Sequence, residues 1–236
     1  MEGRQQRKDV EQTIEIPIGA VTLAGTLTLP PAAHGMVIFA HGSGSSRHSP
    51  RNRAVARVLE QAGLGTLLMD LLTPAEEAQD RYTAHLRFDV GMLAERLAAA
   101  TEWLARRPDA RDLDAGYFGA STGAAAALIA ADHPRRIHAV VSRGGRPDLA
   151  GEALSRVHAP TLLIVGENDP VVLRLNQEAA AHLRGERHLE IIPGATHLFE
   201  EPGALDQVAL LARDWFTRYL RAPAPTPRLA APGHAR

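Results

Sequence analysis

The sequence predicts an α/β fold in which a mostly parallel, doubly wound sheet of about eight strands lies between helices. Residues 13–18 and 21–29 alternate apolar and polar side chains, a pattern typical of a half-exposed antiparallel hairpin at one sheet edge. From residue 36 onward, continuous apolar runs alternate with helical patterns, and strands covered by helices on both faces are apolar throughout. Because such crossovers are right-handed, the strands after the hairpin should be parallel.

The individual elements follow from these patterns. Six apolar runs after the hairpin predict strands at residues 36–40, 65–71, 116–118, 137–141, 161–165 and 189–192. Helical periodicity predicts helices at residues 51–62, 87–106, 122–132, 173–183 and 203–220. Residues 74–85 are polar and acidic, so we expect a loop or a short helix there, beside the strand ends and at the edge of the active site.

One domain accounts for most of the chain. A chain of 236 residues, 45% of them hydrophobic, can bury one sizeable core. We expect this domain over residues 13–221, after an N-terminal tail at residues 1–12. Residues 222–236 are rich in proline and alanine and should be disordered. The segment after the sixth strand, residues 142–159, is too short for a large cap, so the site should be open or covered by short loops.

The composition excludes several classes of function. The chain has no cysteine, which removes disulfides, thiolate metal sites and a cysteine nucleophile, and we expect neither a metal nor a cofactor. Lys8 is the only lysine, which argues against Schiff-base chemistry. The net charge of -1 gives no reason to expect nucleic acid or an anionic membrane as a partner. Without a secretory signal or a long apolar run, we expect a cytoplasmic monomer or homodimer that acts on a small molecule.

Ser121 is the candidate nucleophile. It is the central residue of the pentapeptide Gly-Ala-Ser-Thr-Gly at 119–123, which follows a predicted strand and precedes a helix of small residues. A serine in such a strand-turn-helix lies on a strained turn, and the flanking glycines leave room for neighbouring backbone. The alternative is a Gly-Ser turn without chemistry, which the strand-turn-helix context disfavours.

A serine nucleophile needs a histidine base and a carboxylate that fixes the histidine tautomer, in the chain order serine, acid, histidine. His197 is the best candidate base because it lies in the loop between the last strand and the last helix; the alternative is a surface histidine. Asp169 lies in the turn after strand 161–165 and is the candidate acid, although it could instead cap the following helix. Glu167 is the second candidate acid.

Acyl transfer also needs backbone donors for the developing oxyanion. We expect the amide of Thr122, directly after the nucleophile, and the amide of Ser43, in the loop after the third strand. Gly42 and Gly44 would let this loop approach Ser121 and contact substrate, while a histidine at position 41 would be structural, bonded within the loop. The alternative for the segment is a glycine-rich anion loop, but no Gly-Lys-Ser/Thr follows it.

Arg143 and Arg146 follow the sixth strand on glycine-rich backbone and should lie near the nucleophile. Two arginines at the mouth of a site can hold a substrate carboxylate in bidentate fashion. The alternative, which we favour, is that they form ion pairs with Asp148, Asp89 or Glu200.

These motifs together resemble the α/β-hydrolase superfamily over residues 13–220. The segments concerned are His-Gly-Ser-Gly at 41–44, the serine pentapeptide, Gly-Glu-Asn-Asp at 166–169 and Gly-Ala-Thr-His at 194–197. Within that superfamily, the capless chain and the Gly-Ala-Thr-His-Leu-Phe segment at 194–199 resemble the dienelactone hydrolase-related proteins.

The resemblance implies a triad of Ser121, Asp169 and His197 and the hydrolysis of a carboxylic ester. Dienelactone hydrolase itself uses a cysteine, so Ser121 favours a general carboxylesterase, with a short acyl group given the 4% aromatic content. A thioesterase, a peptidase of small substrates, a perhydrolase and an acyltransferase share the same triad. A non-catalytic small-molecule-binding protein on this fold stays open as well, because fold does not fix function.

Overall fold

The computed structural model describes residues 10–132 and 137–220 and contains one eight-stranded mixed sheet with strand order β1-β2-β4-β3-β5-β6-β7-β8. The strands are β1 (Val10–Ile18), β2 (Val21–Leu29), β3 (Met36–Ala40), β4 (Gly65–Met69), β5 (Ala115–Ala120), β6 (Ile137–Arg143), β7 (Thr161–Gly166) and β8 (Arg187–Ile192). The helices are α1 (Pro50–Gln61), α2 (Pro74–Thr83), α3 (Val90–Leu104), α4 (Thr122–Ala131), α5 (Pro170–His182) and α6 (Ala204–Tyr219). The predicted α/β-hydrolase architecture is therefore confirmed.

The antiparallel edge consists of β1 and β2, and β2 also pairs antiparallel with β4. All other strand pairs are parallel. β1 begins at Val10, so residues 10–12 belong to a strand that the prediction began only at Thr13. Residues 1–9 and the predicted disordered tail at 222–236 lie outside the described residues.

Apolar side chains of the sheet pack against helices on both faces. On one face, Leu97 of α3 and Leu128 of α4 pack against strand residues such as Ile38. On the other face, Leu59 of α1 and Phe216 of α6 belong to a second buried cluster. Because both faces are covered, β3 and β4 are buried at every position, which is why their sequences show no apolar–polar alternation.

The acidic segment at 74–85 forms α2, which lies on the surface of the domain. Pro74 begins the helix, and Thr73 forms a capping box with Glu76. Glu76 also accepts two hydrogen bonds from the buried Arg96 of α3, at 2.8 and 2.6 Å. These bonds lower the pKa of Glu76 to about 2. Asp80 is the one fully buried residue of α2, so the helix has little apolar packing. Ionic contacts such as that between Glu76 and Arg96 hold it on the domain instead.

Within residues 10–132 and 137–220, no large cap covers the sheet. The connection between β6 and β7 contains only a kinked 3-10 segment, Pro147–Arg156, and a second short 3-10 turn, Leu86–Phe88, joins α2 to α3. Parallel strands bring their carboxyl ends to one edge, so the loops after β3, β5, β6, β7 and β8 all meet there. In the part of the chain that the structure describes, no helix combines the length and the apolarity that crossing a bilayer demands.

Candidate active site

Ser121 occupies the turn between β5 and α4 with φ 52° and ψ −123°. A non-glycine residue in this region stores roughly 1–3 kcal/mol of strain, and it persists only where the surroundings fix it. Three backbone bonds do so. The Ser121 amide donates to Arg143 O at 3.2 Å, and Ser121 O accepts from the amides of Ala124 and Arg146, both at 3.1 Å. The turn is therefore held in its strained form from both sides.

The glycines of the pentapeptide are required by close backbone approach. A Cβ on Gly119 would lie 2.4 Å from Cα of Ala124, and one on Gly123 would lie 2.2 Å from Ala40 O. Real Cβ atoms do not approach backbone so closely, and backbone atoms in a packed sheet have little freedom to retreat. The two glycines of the pentapeptide are therefore required because α4 packs closely against β3 and β5.

Replacing Gly123 with alanine should lower the free energy of unfolding by at least about 3 kcal/mol, because the new methyl group meets the fixed carbonyl of Ala40. Urea unfolding followed by circular dichroism measures the change. Gly91→Ala is the matched control, since its methyl group would meet only Asp89 Oδ1 at 3.6 Å in the first turn of α3. The control should change stability by no more than about 1 kcal/mol, in the stabilising direction. Equal losses in both variants would contradict the packing explanation.

Asp169 and His197 are hydrogen-bonded to each other, with 2.6 Å between Asp169 Oδ2 and His197 Nδ1. Asp169 lies at the N-cap position of α5, yet its side chain makes no capping bond. The Asp169 carboxylate therefore does not cap α5, which was the alternative role that the sequence left open. With the Nδ1 proton directed to Asp169, Nε2 of His197 is the nitrogen left to accept a proton.

Glu167, the second candidate acid, supports the loop that carries His197. Its Oε2 accepts from the amide of Gly194 at 2.7 Å, and Asn168 Nδ2 donates to Gly194 O at 2.9 Å. The two carboxylates of this turn therefore divide their tasks: Asp169 bonds the imidazole and Glu167 bonds the backbone before it.

Ser121 makes no direct hydrogen bond to His197 in this structure, although its amide donates to the carbonyl of Arg143, the residue before Gly144. Gly144 follows Arg143, whose neighbour across the β5–β6 ladder is Ala120. A Cβ on Gly144 would lie 3.5 Å from Cε1 of His197. Ser121, Asp169 and His197 therefore lie at the same edge of the sheet, and a hydrogen bond joins Asp169 to His197. Nucleophile–base bonds are often longer in a free enzyme than in its substrate complex.

The loop after β3 packs directly on the serine turn. A Cβ on Gly42 would lie 3.1 Å from Cβ of Ser121, which explains the glycine there. The Ser43 amide donates to the Thr122 hydroxyl at 2.9 Å, so one predicted oxyanion donor already has a partner. Within the described residues, the Thr122 amide, the other predicted donor, has no acceptor.

His41 has the structural role that the sequence predicts. Its Nδ1 lies 2.9 Å from Gly42 O and donates to it, while Nε2 accepts from the Leu71 amide at 3.1 Å. Burial lowers the pKa of His41, which keeps the ring neutral and suited to accept at Nε2. This histidine joins the loops after β3 and β4.

A cavity of about 310 Å³ opens beside the loop after β3. Residues of that loop, including Gly42, Ser43 and Gly44, form one side. Leu71, Leu72 and Leu93 add an apolar surface, and charged side chains of α2 together with Arg87 complete the wall. The sequence predicted that the segment 74–85 edges the active site, but it did not identify which of its residues line the cavity.

Arg87 is held in that wall by Asp80. Arg87 Nε donates to Asp80 Oδ2 at 2.5 Å, and Nη2 donates to Asp80 O at 2.9 Å. Nη1 stays directed toward the loop, 3.9 Å from where a Cβ on Gly44 would lie. Only the folded structure shows this contact, because Asp80 and Arg87 belong to different segments of a polar stretch.

Arg143, the last residue of β6, and Arg146, in the loop after it, have different environments. Arg146 forms a bidentate pair with Asp148 at 2.8 and 2.7 Å, which is the ion pair that the sequence favoured. Arg143 is only 8% exposed and pairs with none of the three expected carboxylates. Burial, together with the nearby charge of Arg51, lowers the pKa of Arg143 to about 10. Across residues 10–132 and 137–220, no group of three or more acidic or histidine side chains is arranged to hold a metal ion.

The strand order and the strained serine turn between β5 and α4 define a protein with the α/β-hydrolase fold. The chain belongs to the dienelactone hydrolase family, whose model matches residues 23–220.

Two solved structures resemble this chain, one at high sequence identity and one in fold alone. The chain is 58% identical to a dienelactone hydrolase from Anabaena variabilis, over 90% of this chain and 99% of that one, with a TM-score of 0.89. Est1E from Butyrivibrio proteoclasticus shares the fold at 16% identity, with a TM-score of 0.73 over 87% of this chain and 98% of that one.

A Mycobacterium tuberculosis protein with the provisional name phosphoribosyl transferase is also 58% identical, over 92% of this chain. The match covers 48% of that protein, so the chain spans about half the length of this relative.

Proposed function

We propose that the protein is a serine hydrolase of carboxylic esters that works through an acyl-enzyme on Ser121. His197 Nε2 takes the Ser121 proton as the hydroxyl oxygen attacks the acyl carbonyl, and Asp169 stabilises the imidazolium that forms. His197 then returns the proton to the leaving alcohol. Water, deprotonated by the same histidine, releases the acid. The observation that carries this proposal is the 2.6 Å bond between Asp169 and His197 beside a strained serine turn.

The oxyanion is held by the amides of Thr122 and Ser43. The Thr122 amide lacks a partner among the described residues, as a donor awaiting substrate should. The Ser43 amide becomes available when the Thr122 hydroxyl, its present acceptor at 2.9 Å, rotates away. Each donor of this kind typically contributes about 10²–10³ in kcat.

The substrates are esters with short acyl groups. The cavity of about 310 Å³ beside the loop after β3 lies at the lower end of small-molecule sites, which are roughly 300–1,000 Å³. Its apolar surface of Leu71, Leu72 and Leu93 suits a few methylene groups. A thioester or another acyl acceptor would use the same residues, so these reactions are variants of one proposal. The bond between Asp169 and His197 supports acyl transfer rather than the phosphoribosyl transfer named for the Mycobacterium tuberculosis relative.

Ester turnover combined with active-site labelling tests the proposal. We expect hydrolysis of p-nitrophenyl acetate and butyrate, and stoichiometric labelling of Ser121 by a fluorophosphonate, located by peptide mass spectrometry. Turnover of both esters without labelling of Ser121 would assign the nucleophile elsewhere. Slow labelling without any turnover of esters or thioesters would favour a binding protein on the hydrolase fold.

A further inference from the structure

The turn that carries His197 ends on a strained residue. The Phe199 amide donates to Thr196 O at 3.2 Å, so residues 196–199 form a β-turn, the histidine turn, with His197 in its second position. Phe199, its last residue, has φ 56°. This left-handed conformation is unfavourable for a bulky side chain, and it persists only where the surroundings fix it.

Burial of the Phe199 ring is what fixes this conformation. Phe199 is 1% exposed and belongs to the buried cluster that includes Leu59 of α1 and Phe216 of α6. A glycine at this position would avoid the strain, but it would have no side chain to bury. The burial of the ring therefore outweighs the strain of the backbone and anchors the carboxyl end of the histidine turn in the core.

The Phe199 ring lies where the histidine turn meets the end of β6. A Cβ on Gly144 would lie 3.4 Å from Cε2 of Phe199, 3.2 Å from His197 O and 3.5 Å from His197 Cε1. The residue before Gly144 is Arg143, whose carbonyl accepts from the Ser121 amide at 3.2 Å. One glycine thus separates Phe199 and His197 from the backbone that fixes the serine turn.

A carboxylate holds the other end of the histidine turn. Glu201 Oε1 accepts from the Thr196 hydroxyl at 2.6 Å and from the Thr196 amide at 3.1 Å. The bond from the hydroxyl lowers the pKa of Glu201, which keeps this carboxylate ionised and accepting. The adjacent Glu200 instead meets Arg51 at 3.2 Å. Among the described residues, Glu201 is thus the one of these two carboxylates that bonds the histidine turn.

We propose that Phe199 and Glu201 are positioning residues that together fix the distance between His197 and Ser121, a role that rests on the proposed function. The bond from Asp169 orients the imidazole, but it does not by itself fix the backbone that carries the ring. Phe199 and Glu201 fix that backbone at its two ends. Because a misplacement of about 1 Å can cost about 10²-fold in rate, loss of either anchor reduces proton transfer from Ser121 to His197.

The contribution of the ring is tested with Phe199→Leu, which keeps an apolar side chain but removes the ring edge that meets Gly144. We expect kcat for p-nitrophenyl acetate to fall about 10–100-fold while KM stays within about threefold, since binding of the ester does not use His197. Phe216→Leu is the matched control. Phe216 is buried in the same cluster, but its ring meets Gly116 at the amino end of β5, away from Ser121. Its kcat should stay within about twofold of the wild type.

The contribution of the carboxylate is tested with Glu201→Ala, which should lower kcat about tenfold. Glu200→Ala is the matched control and should keep kcat within about twofold, because Glu200 bonds Arg51 and not the histidine turn. Glu201→Gln should recover most of the activity, since an amide oxygen can still accept from Thr196. If Phe199→Leu fails to fold, this pair and its rescue decide alone.

The position of the histidine turn is also measured without turnover. The Nδ1 proton of His197, which is donated to Asp169 over 2.6 Å, should give a proton NMR signal far downfield, and His197→Gln assigns it. We expect this signal unchanged in Phe216→Leu and Glu200→Ala. It should be shifted or lost in Phe199→Leu and Glu201→Ala.

Two patterns separate the failure of this inference from the failure of the proposed function. If each variant matched its control in kcat and in the NMR signal, the positioning role would be overturned and the proposed hydrolysis would stand. If the signal changed as expected in a protein that hydrolyses no ester or thioester, the proposed hydrolysis would be rejected. Phe199 and Glu201 would then still be the residues that fix the histidine turn.

Discussion

Replacing Ser121 with alanine should lower kcat for p-nitrophenyl acetate by at least about 10³-fold, because no acyl-enzyme can form without the hydroxyl. Residual turnover would come from the oxyanion donors and from binding alone. The fold should survive, since the backbone bonds of Ser121 to Arg143, Ala124 and Arg146 do not involve its side chain. Steady-state kinetics and thermal unfolding measure the two effects separately.

Ser142→Ala provides the matched control. Ser142 is buried near the end of β6, beside the serine turn, and its hydroxyl has no partner among the described residues. Removing that hydroxyl costs no hydrogen bond, so activity should stay within about twofold of the wild type. If the Ser121 variant kept its activity while folded, the proposed nucleophile would be wrong.

Asp169→Asn should lower kcat by roughly 10²–10⁴-fold without a large loss of stability. An amide at this position would present a donor to His197 Nδ1, which favours the tautomer whose proton is on Nε2. That tautomer cannot accept the Ser121 proton. Because the carboxylate makes no capping bond to α5, the helix should keep its N-terminus, and circular dichroism should show it.

Glu167→Gln is the control for the acid. A glutamine oxygen can still accept from the Gly194 amide, so the loop before His197 should keep its position and activity should fall by less than about tenfold. The reverse outcome, in which Glu167→Gln is nearly inactive and Asp169→Asn is active, would transfer the acid role to Glu167.

The sequence predicted the positions that follow directly from the chain. Ser121, Asp169 and His197 each lie in a turn after a strand, and parallel strands bring such turns to one sheet edge whatever the details of packing. The strands, the helices and the lack of a large cap were also predictable, because they follow from apolar patterns and segment lengths along the chain. Strand and helix ends shifted by a few residues, since they depend on contacts such as the β1 pairing of Val10 with Leu29.

Apart from the contact between Asp169 and His197, contacts between distant segments were not predictable. That the Ser43 amide bonds the Thr122 hydroxyl depends on how the loop after β3 meets α4, 79 residues later. The contrast between Arg143 and Arg146 depends on which face of the sheet each side chain reaches, and only one of them meets a carboxylate. The position of Arg87 in the cavity wall depends on its bond to Asp80, the one residue of α2 that is buried.

The weak attachment of α2 has a consequence for how the substrate range of this protein can change. The proposed catalytic residues rest on the central sheet, whereas one wall of the cavity comes from a helix that buries a single residue and is anchored through Glu76 and Asp80. Surface residues such as Arg81 can therefore be varied with little effect on folding. A mutant library restricted to α2, with those two anchors kept, would search for new substrates while the catalytic apparatus and the core stay constant.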